Sequence, residues 1–529
     1  MAETVGRTLR RALRQREQTL VLAAAGAIVL LASALPLARL LAEIPGAGAA
    51  ALGVLATSRL WGLLARSLVL AGAVTAFAVA IGAPLGLLVA RTDLPGRRAL
   101  WILHAFPMFL PPFLLTLGWF QLVGREGLLG RDVTARLLFS EVGLVVVLAL
   151  TFSPVVTSLV ALSLLGMDAS LEEAARLAAR PWHVATRILL PAASPALALG
   201  AIVIFALSVS ELGVPMFLRV DVFPAAIFAR LGGIQYAPGE AIVLALPLIP
   251  VALGLLFLER RWVGAGSFAV AGLRGMSRTP IPLGRWRPAL ASAGWSVALG
   301  GALPLGALAL RAVRGAGFAT LPQWIGQAPW TSLGTAAVAA TVIAAVGLVL
   351  GHAAARHLRG ASMLDALAVL AFVTPASVLG IGIIAVWNRP ATRALYGSVA
   401  ILIIGYTARY AVVGIRAVAS VILQSPVHLE EAAAADGARF WRRLIRIILP
   451  VNLRGIAAGW LLAMVFCLRD FETAVLYYPP GREPLPVRIF TLEANGPPPV
   501  VAALAIAHVL ITALVLVAGV LLVRRRSFA

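Results

Sequence analysis

The residues with most chemical potential in this sequence are acids, and they recur in one pattern. Leu171-Glu172-Glu173-Ala174-Ala175 is followed by Ile188-Leu189-Leu190-Pro191, and Leu429-Glu430-Glu431-Ala432-Ala433 by Ile447-Ile448-Leu449-Pro450, an offset of about 258 residues. Twenty residues beyond each of these prolines stands a further acid, Glu211 and Asp470, with Glu472 two positions on and Arg469 just before. Acids beside apolar blocks are costly in a membrane and face a cavity or a partner. Two readings fit them: a ring of carboxylates lining a path suited to a cationic solute, or outer helix ends touching water, a partner protein or Arg469. Pro111, Pro112 and Pro375 interrupt two apolar blocks at equivalent places, and such breaks mark pathways in some transporters and mere kinks in others. The six histidines (His104, His183, His352, His357, His428 and His508) lack metal-ligand spacing, and the single Cys467 excludes an intrachain disulfide or a thiolate cluster. The reading therefore contains no catalytic residue and no metal site.

These residues are set in a chain of 529 residues, 61% hydrophobic and 12% charged, a composition that excludes a soluble enzyme. The apolar residues form twelve blocks long enough to cross a bilayer, including 99–123, 363–387 and 455–477. The expectation is an all-α polytopic membrane protein of about twelve transmembrane helices arranged as two parallel six-helix repeats. A net charge of +22 could indicate nucleic acid, but the arginines fall at the ends of apolar blocks, where they orient helices in a lipid bilayer. Placing Arg7, Arg10, Arg11, Arg14 and Arg16 inside puts both termini in the cytoplasm. The longest polar connection divides the chain: 1–19 a cytoplasmic segment, 20–258 the first half, 259–287 a cytoplasmic linker, 288–523 the second half and 524–529 a cytoplasmic end. No lysine occurs anywhere, so the G-x-x-x-x-G-K-[ST] phosphate loop cannot be present. If ATP and magnesium drive this protein, another chain binds them.

The repeated loop is built to be a bent helical elbow. Ser170 with Glu173 makes a capping box, and Ser425 followed by Pro426 makes a cap with proline at the first helical position. Gly437 stands where a left-handed residue would end the short helix and turn the chain. Pro191 and Pro450 then suit the first turn of the next membrane helix.

At these residues the chain resembles the permease subunits of type I ABC importers, whose loop reads approximately E-A-A-x-x-x-G, nine residues, then I-x-L-P. Glu431, Ala432, Ala433, Gly437, Ile447, Leu449 and Pro450 match it in full. The first copy is one residue shorter from Glu173 to Pro191 and has Ala178 and Ala179 in place of the glycine. The resemblance narrows to the fused, two-half permeases of the ferric-iron and thiamine type, on Arg91-Thr-Asp-Leu-Pro-Gly-Arg-Arg98, Thr374-Pro-Ala-Ser-Val-Leu-Gly-Ile-Gly382, Glu211-Leu-Gly-Val-Pro215 and Asp470-Phe-Glu-Thr-Ala474. It implies an inner-membrane import permease of a bacterial cell, with two copies of a nucleotide-binding ATPase seated on the two elbows and an extracytoplasmic solute-binding protein. Glu172, Glu173, Ala174, Ala175 and Ala178 would form one coupling loop, and Glu430, Glu431, Ala432, Ala433 and Gly437 the other. Ferric iron is the first cargo by this resemblance, then thiamine, an organophosphonate or a polyamine. The alternative is a twelve-span secondary transporter, whose loop after the second span Asp93-Leu-Pro-Gly-Arg-Arg98 imitates; that class has no reason to duplicate the elbow.

Overall fold

The computed structural model describes residues 2–167, 177, 179–232, 237–263 and 280–525. Glu172, Glu173, Ala174, Ala175 and Ala178 lie outside the described residues. Eight helices are long and apolar enough to cross a bilayer, and four further spans are helix pairs bent by more than 40°. In chain order the continuous ones are α1 (Arg16–Gly46), α2 (Ser58–Arg91), α4 (Glu141–Gly166), α6 (Gly239–Trp262), α7 (Gly284–Arg314), α8 (Ala328–Ala355), α10 (Ala400–Ile422) and α12 (Pro498–Val523). The bent ones are α3 (Arg97–Phe109 and Pro112–Val123), α5 (Trp182–Ala192 and Ser194–Ser210), α9 (Ala361–Val373 and Ala376–Trp387) and α11 (Phe440–Val451 and Leu453–Arg469). The chain is thus an all-α polytopic membrane protein built as two six-helix repeats.

The bends recur in both halves because the same chemistry recurs. In α3, Leu110 is extended before Pro111 and the second arm starts at Pro112; in α9, Thr374 is extended before Pro375. A residue before proline is pushed out of the α region and proline supplies no N–H, so the helix stops and restarts. The two arms meet at 109° and 110°. In α5 and α11 a single wide turn, Ala185–Leu189 and Leu444–Ile448, precedes Pro191 and Pro450, and the chain then bends by 61° and 86°. Pro191 and Pro450 therefore end the first arm of a bent pair, and the membrane helix proper begins three residues later. The block 455–477 is also shorter as a helix than its composition suggests, since α11 stops at Arg469.

Boundaries move in the opposite sense where charge, not proline, was the guide. The first helix runs back to Ala2, and α6 and α7 extend to Trp262 and from Gly284, into both ends of the 259–287 linker. Backbone hydrogen bonding continues past the apolar edge; composition marks the bilayer boundary, not the helix end.

Two seams hold the repeats together. Within each half α2 packs along α4, and α8 along α10, through the spacings Gly82-x-x-x-Gly86 and Gly347-x-x-x-Gly351, which let backbones approach closely. Between halves the first helix of each repeat lies on the other repeat: α1 along the second arm of α9, and α7 along α3. A Cβ on Gly118 would stand 2.5 Å from the Pro304 carbonyl oxygen of α7, and one on Gly382 2.6 Å from that of Pro36 in α1. The linker is fastened to the first half by Asp93, whose carboxylate accepts the Leu283 N–H at 2.9 Å, while Ile281 donates its N–H to Arg91 at 2.7 Å.

Candidate functional site

The second elbow is a nine-residue helix, Val427–Ala435. Pro426 itself is the N-cap and no side chain caps it, so Ser425 stands one residue outside; its carbonyl is taken by Arg356 at 3.2 Å. The C-terminal end is a Schellman motif. Ala438 N–H donates to the Ala433 carbonyl and Gly437 N–H to that of Ala434, with Gly437 at φ 93°. The chain then turns into Phe440–Arg443, the wide turn and the bend at Asn452.

The two adjacent acids of this elbow face opposite ways. Glu430 is buried and fixes the elbow to the end of α8: its carboxylate accepts from Arg356 at 2.7 and 3.0 Å and lies 2.8 Å from His352 Nε2. Burial alone would raise the Glu430 carboxyl, but the hydrogen bonds from His352 and Arg356 outweigh it and hold it below its ordinary range. Glu431 and Ala432 are exposed, while Ala433 is partly covered. Phe440 packs its ring 5.6 Å from His352, and the Trp441 N–H donates to Glu17 of α1 at 3.3 Å. The elbow is thus a surface-presented helix joined through Glu430 to α8 and through its turn to α11, whose first arm lies against α1. Of the first elbow's candidate coupling residues, Pro191 alone is among the described residues. It holds the place Pro450 holds, two residues before its bend.

The second cluster lies where the halves cross. Glu211 and Asp470 do occupy equivalent positions: each ends its span, and each carboxylate accepts the N–H three residues on, Val214 at 3.1 Å and Thr473 at 3.1 Å. They are caps, 2% and 1% exposed, held inside the closed centre. Glu472, 8% exposed, brings its carboxyl within hydrogen-bonding reach of Glu211 from the opposite half. Asp470 also accepts from the Tyr410 hydroxyl at 2.6 Å and lies 3.8 Å from Arg409 Nε. The breaks join this cluster. Arg469 donates to the Met108 carbonyl just before Pro111, and its guanidinium lies over the Phe152 and Phe466 rings. Phe113, directly after Pro112, packs on Phe471 at 5.2 Å, and Phe471 on Phe490 at 4.6 Å. Gly213 leaves the room that Phe113 and Phe471 fill. Pro375 starts the corresponding arm of α9, whose Gly380 faces Leu476 in the short helix that Asp470 caps. The arrangement closes the centre of the molecule with aromatic rings and paired charges contributed by both halves.

Four residues of these clusters were not singled out by motif: His352, Arg356, Arg409 and Tyr410. The signal for Arg409 is present in the sequence, as an arginine ten residues into the apolar block of α10. No group of three or more His, Cys, Asp or Glu side chains able to hold a metal ion occurs among the described residues.

Comparison with known proteins bears on both clusters. Residues 346–528, from the middle of α8 to the chain end, match the family model described as binding-protein-dependent transport system inner membrane component. The chain is 30% identical over 217 residues to the molybdenum transport system permease protein of Escherichia coli, covering 38% of this chain and 93% of that protein. It is 25% identical over 438 residues to the ferric transport system permease protein of Actinobacillus pleuropneumoniae. That match takes in 76% of this chain, and the chain spans 63% of that relative's length. The shorter relative aligns with less than half of this chain and the longer one with both halves.

Proposed function

Since this chain belongs to the binding-protein-dependent ABC transport permeases, in their fused two-half form, and is a permease subunit and not an enzyme, we propose that it imports a small solute across a bacterial inner membrane using ATP hydrolysed by partner chains. The observation that carries the reading is the second elbow. Glu431 and Ala432 are presented on a short helix that cannot tilt independently, because Glu430 ties it to α8 and the bent pair ties it to α11. A push on that helix is delivered to the α8–α10 pair and, through α11, to Arg469 and Asp470 at the crossing of the halves. Two ATPase subunits, one per elbow, would supply the push when ATP and magnesium bind them. The sealed centre would separate to admit solute from an extracytoplasmic binding protein and reclose after hydrolysis, a bistable repacking of one half against the other. On this reading both termini and the linker 259–287 face the cytoplasm, and 20–258 and 288–523 are the two gating halves. The first elbow, Glu172 to Ala178, does the same work against the second ATPase.

Ferric iron is the first cargo on this reading, supported by the relative that aligns with both halves; thiamine, an organophosphonate and a polyamine follow. The molybdenum relative makes molybdenum the main competitor, and the mixed charge of the centre, three carboxyls with Arg409 and Arg469, accommodates a solute of either sign. The test is uptake by cells carrying Glu431→Arg or Gly437→Pro. Glu431→Arg inverts the charge of the presented helix, and proline cannot adopt the φ of 93° that the turn requires. Both variants should remain in the membrane and lose uptake together with stimulated ATP hydrolysis. Uptake at the normal rate in both would refute the elbow's role.

A further inference from the structure

The halves also meet in a cluster of four charges at the elbow end of the bundle. Glu259 and Arg260, from the last turn of α6 in the first half, face Asp365 at the start of α9 and Arg416 toward the end of α10 in the second. Arg416 grips Asp365 with two nitrogens, at 3.1 and 3.0 Å, and Glu259 with the third at 2.7 Å. Arg260 donates to Asp365 at 2.8 Å and lies 3.6 Å from the second Glu259 oxygen. Each acid thus touches both bases and each base both acids. Glu259 is 2% exposed and Asp365 and Arg416 are largely covered, while Arg260 reaches toward solvent. A cavity of about 210 Å³ opens beside it, where Arg260, Asp365 and Arg416 share the lining with His357, Ser362 and apolar side chains such as Leu358 and Ile415, so the charges touch one another directly but have open space on one side.

Among the described residues, the first half has no such device at the corresponding place. At the offsets that relate the α3 and α9 breaks and the two elbows, Asp365 corresponds to Trp101 and Arg416 to Ser158. Trp101 Nε1 donates to Ser158 Oγ at 3.2 Å, so the same two helices touch there through one neutral hydrogen bond.

We propose that Glu259, Arg260, Asp365 and Arg416 form an ionic clamp that fastens α6 of the first half to α9 and α10 of the second and must open each time the elbow ends of the halves separate. Such a bond network gives two discrete positions instead of a continuous slide, because removing any one member leaves the partly buried charges unbalanced. The gap beside it gives the side chains room to part without a core being unpacked. The clamp stands on its own geometry; its part in a transport cycle rests on the importer reading above.

The test uses the purified full chain in lipid nanodiscs, without an ATPase, so that its outcome is independent of that reading. Spin labels at Trp262→Cys and Met363→Cys, both exposed at the ends of α6 and α9, report the distance across the clamp; Cys467 is buried. Glu259→Gln with Arg260→Gln severs the link between halves while leaving the Asp365–Arg416 pair inside the second half intact. The expected result is a broadened distance distribution displaced by about 2 Å or more, with Trp101→Phe leaving it unchanged. If the double variant does not purify, Glu259→Gln alone carries the same expectation. An unchanged distribution in the folded variant, or an equal displacement by Trp101→Phe, would overturn the proposal.

Discussion

The two halves share a backbone plan and differ in their charges. The breaks at Pro111 and Pro375, the bends after Pro191 and Pro450, the crossing glycines and the capping acids Glu211 and Asp470 all repeat. Around them the second half carries Arg409, Tyr410, Asp365 and Arg416, where the first half at the elbow and break offsets has Thr151, Phe152, Trp101 and Ser158. Proline and glycine chemistry is obligatory for bending and close approach, so it is retained in both copies. Side-chain charge decides what each copy holds on to, and has diverged. At these positions the second half places charged and phenolic groups and the first half a hydroxyl, rings and a single hydrogen bond, while elsewhere the first half has ion pairs of its own, as between Arg66 of α2 and Glu141 of α4 at 2.6 Å.

The largest effect that distinguishes the halves is expected at the crossing. Arg409→Leu leaves Asp470 buried with its capping bonds but without the guanidinium 3.8 Å from it, which should destabilise the chain by about 3–5 kcal/mol in detergent unfolding. Thr151→Ala, at the equivalent place, removes only a hydroxyl bonded to its own helix at 2.7 Å and should cost about 1 kcal/mol. Equal costs would erase the proposed division of labour. The seams make the opposite prediction: Gly118→Val and Gly382→Val meet backbone carbonyls at nearly the same distance, so each should cost about 1–3 kcal/mol, and a large inequality would show that the swapped first helices are not equivalent.

The smallest effect concerns pH. Because the folded state holds the Glu430 carboxyl below its ordinary value, the stabilisation it gives is present above about pH 4.5 and is lost as the pH falls through its lower folded value. Acid should therefore lower the unfolding temperature of the wild type more than that of Glu430→Gln. Parallel acid curves for the two would remove Glu430 as the elbow's anchor.

The parts of this architecture that were legible in sequence are those encoded locally. Leu429 to Gly437 specifies a helix and its left-handed stop within nine residues, and X-Pro pairs specify the breaks. The bend angles were not legible, because a proline permits a bend whose size is set by what the second arm packs against, here α7 or α1. Nor could the sequence separate Glu430 from Glu431: adjacent acids give the same local signal, and the choice of which faces inward is made by His352 and Arg356, 78 and 74 residues away. The surroundings of Glu211 and Asp470 were not legible for a related reason. Their partners, Val214 and Thr473, are local, but their burial comes from Phe471 and the opposite half. The Asp93 motif, which imitates a secondary transporter, fastens the linker through Leu283.

The central claim, that each elbow of this permease seats an ATPase, is tested most directly by purifying the tagged chain gently from its native membrane and weighing the intact complex by mass spectrometry. The account predicts one permease with two nucleotide-binding subunits, and a solute-binding protein whose bound ligand names the cargo. A permease that emerges alone, under conditions that keep known importers assembled, would contradict it.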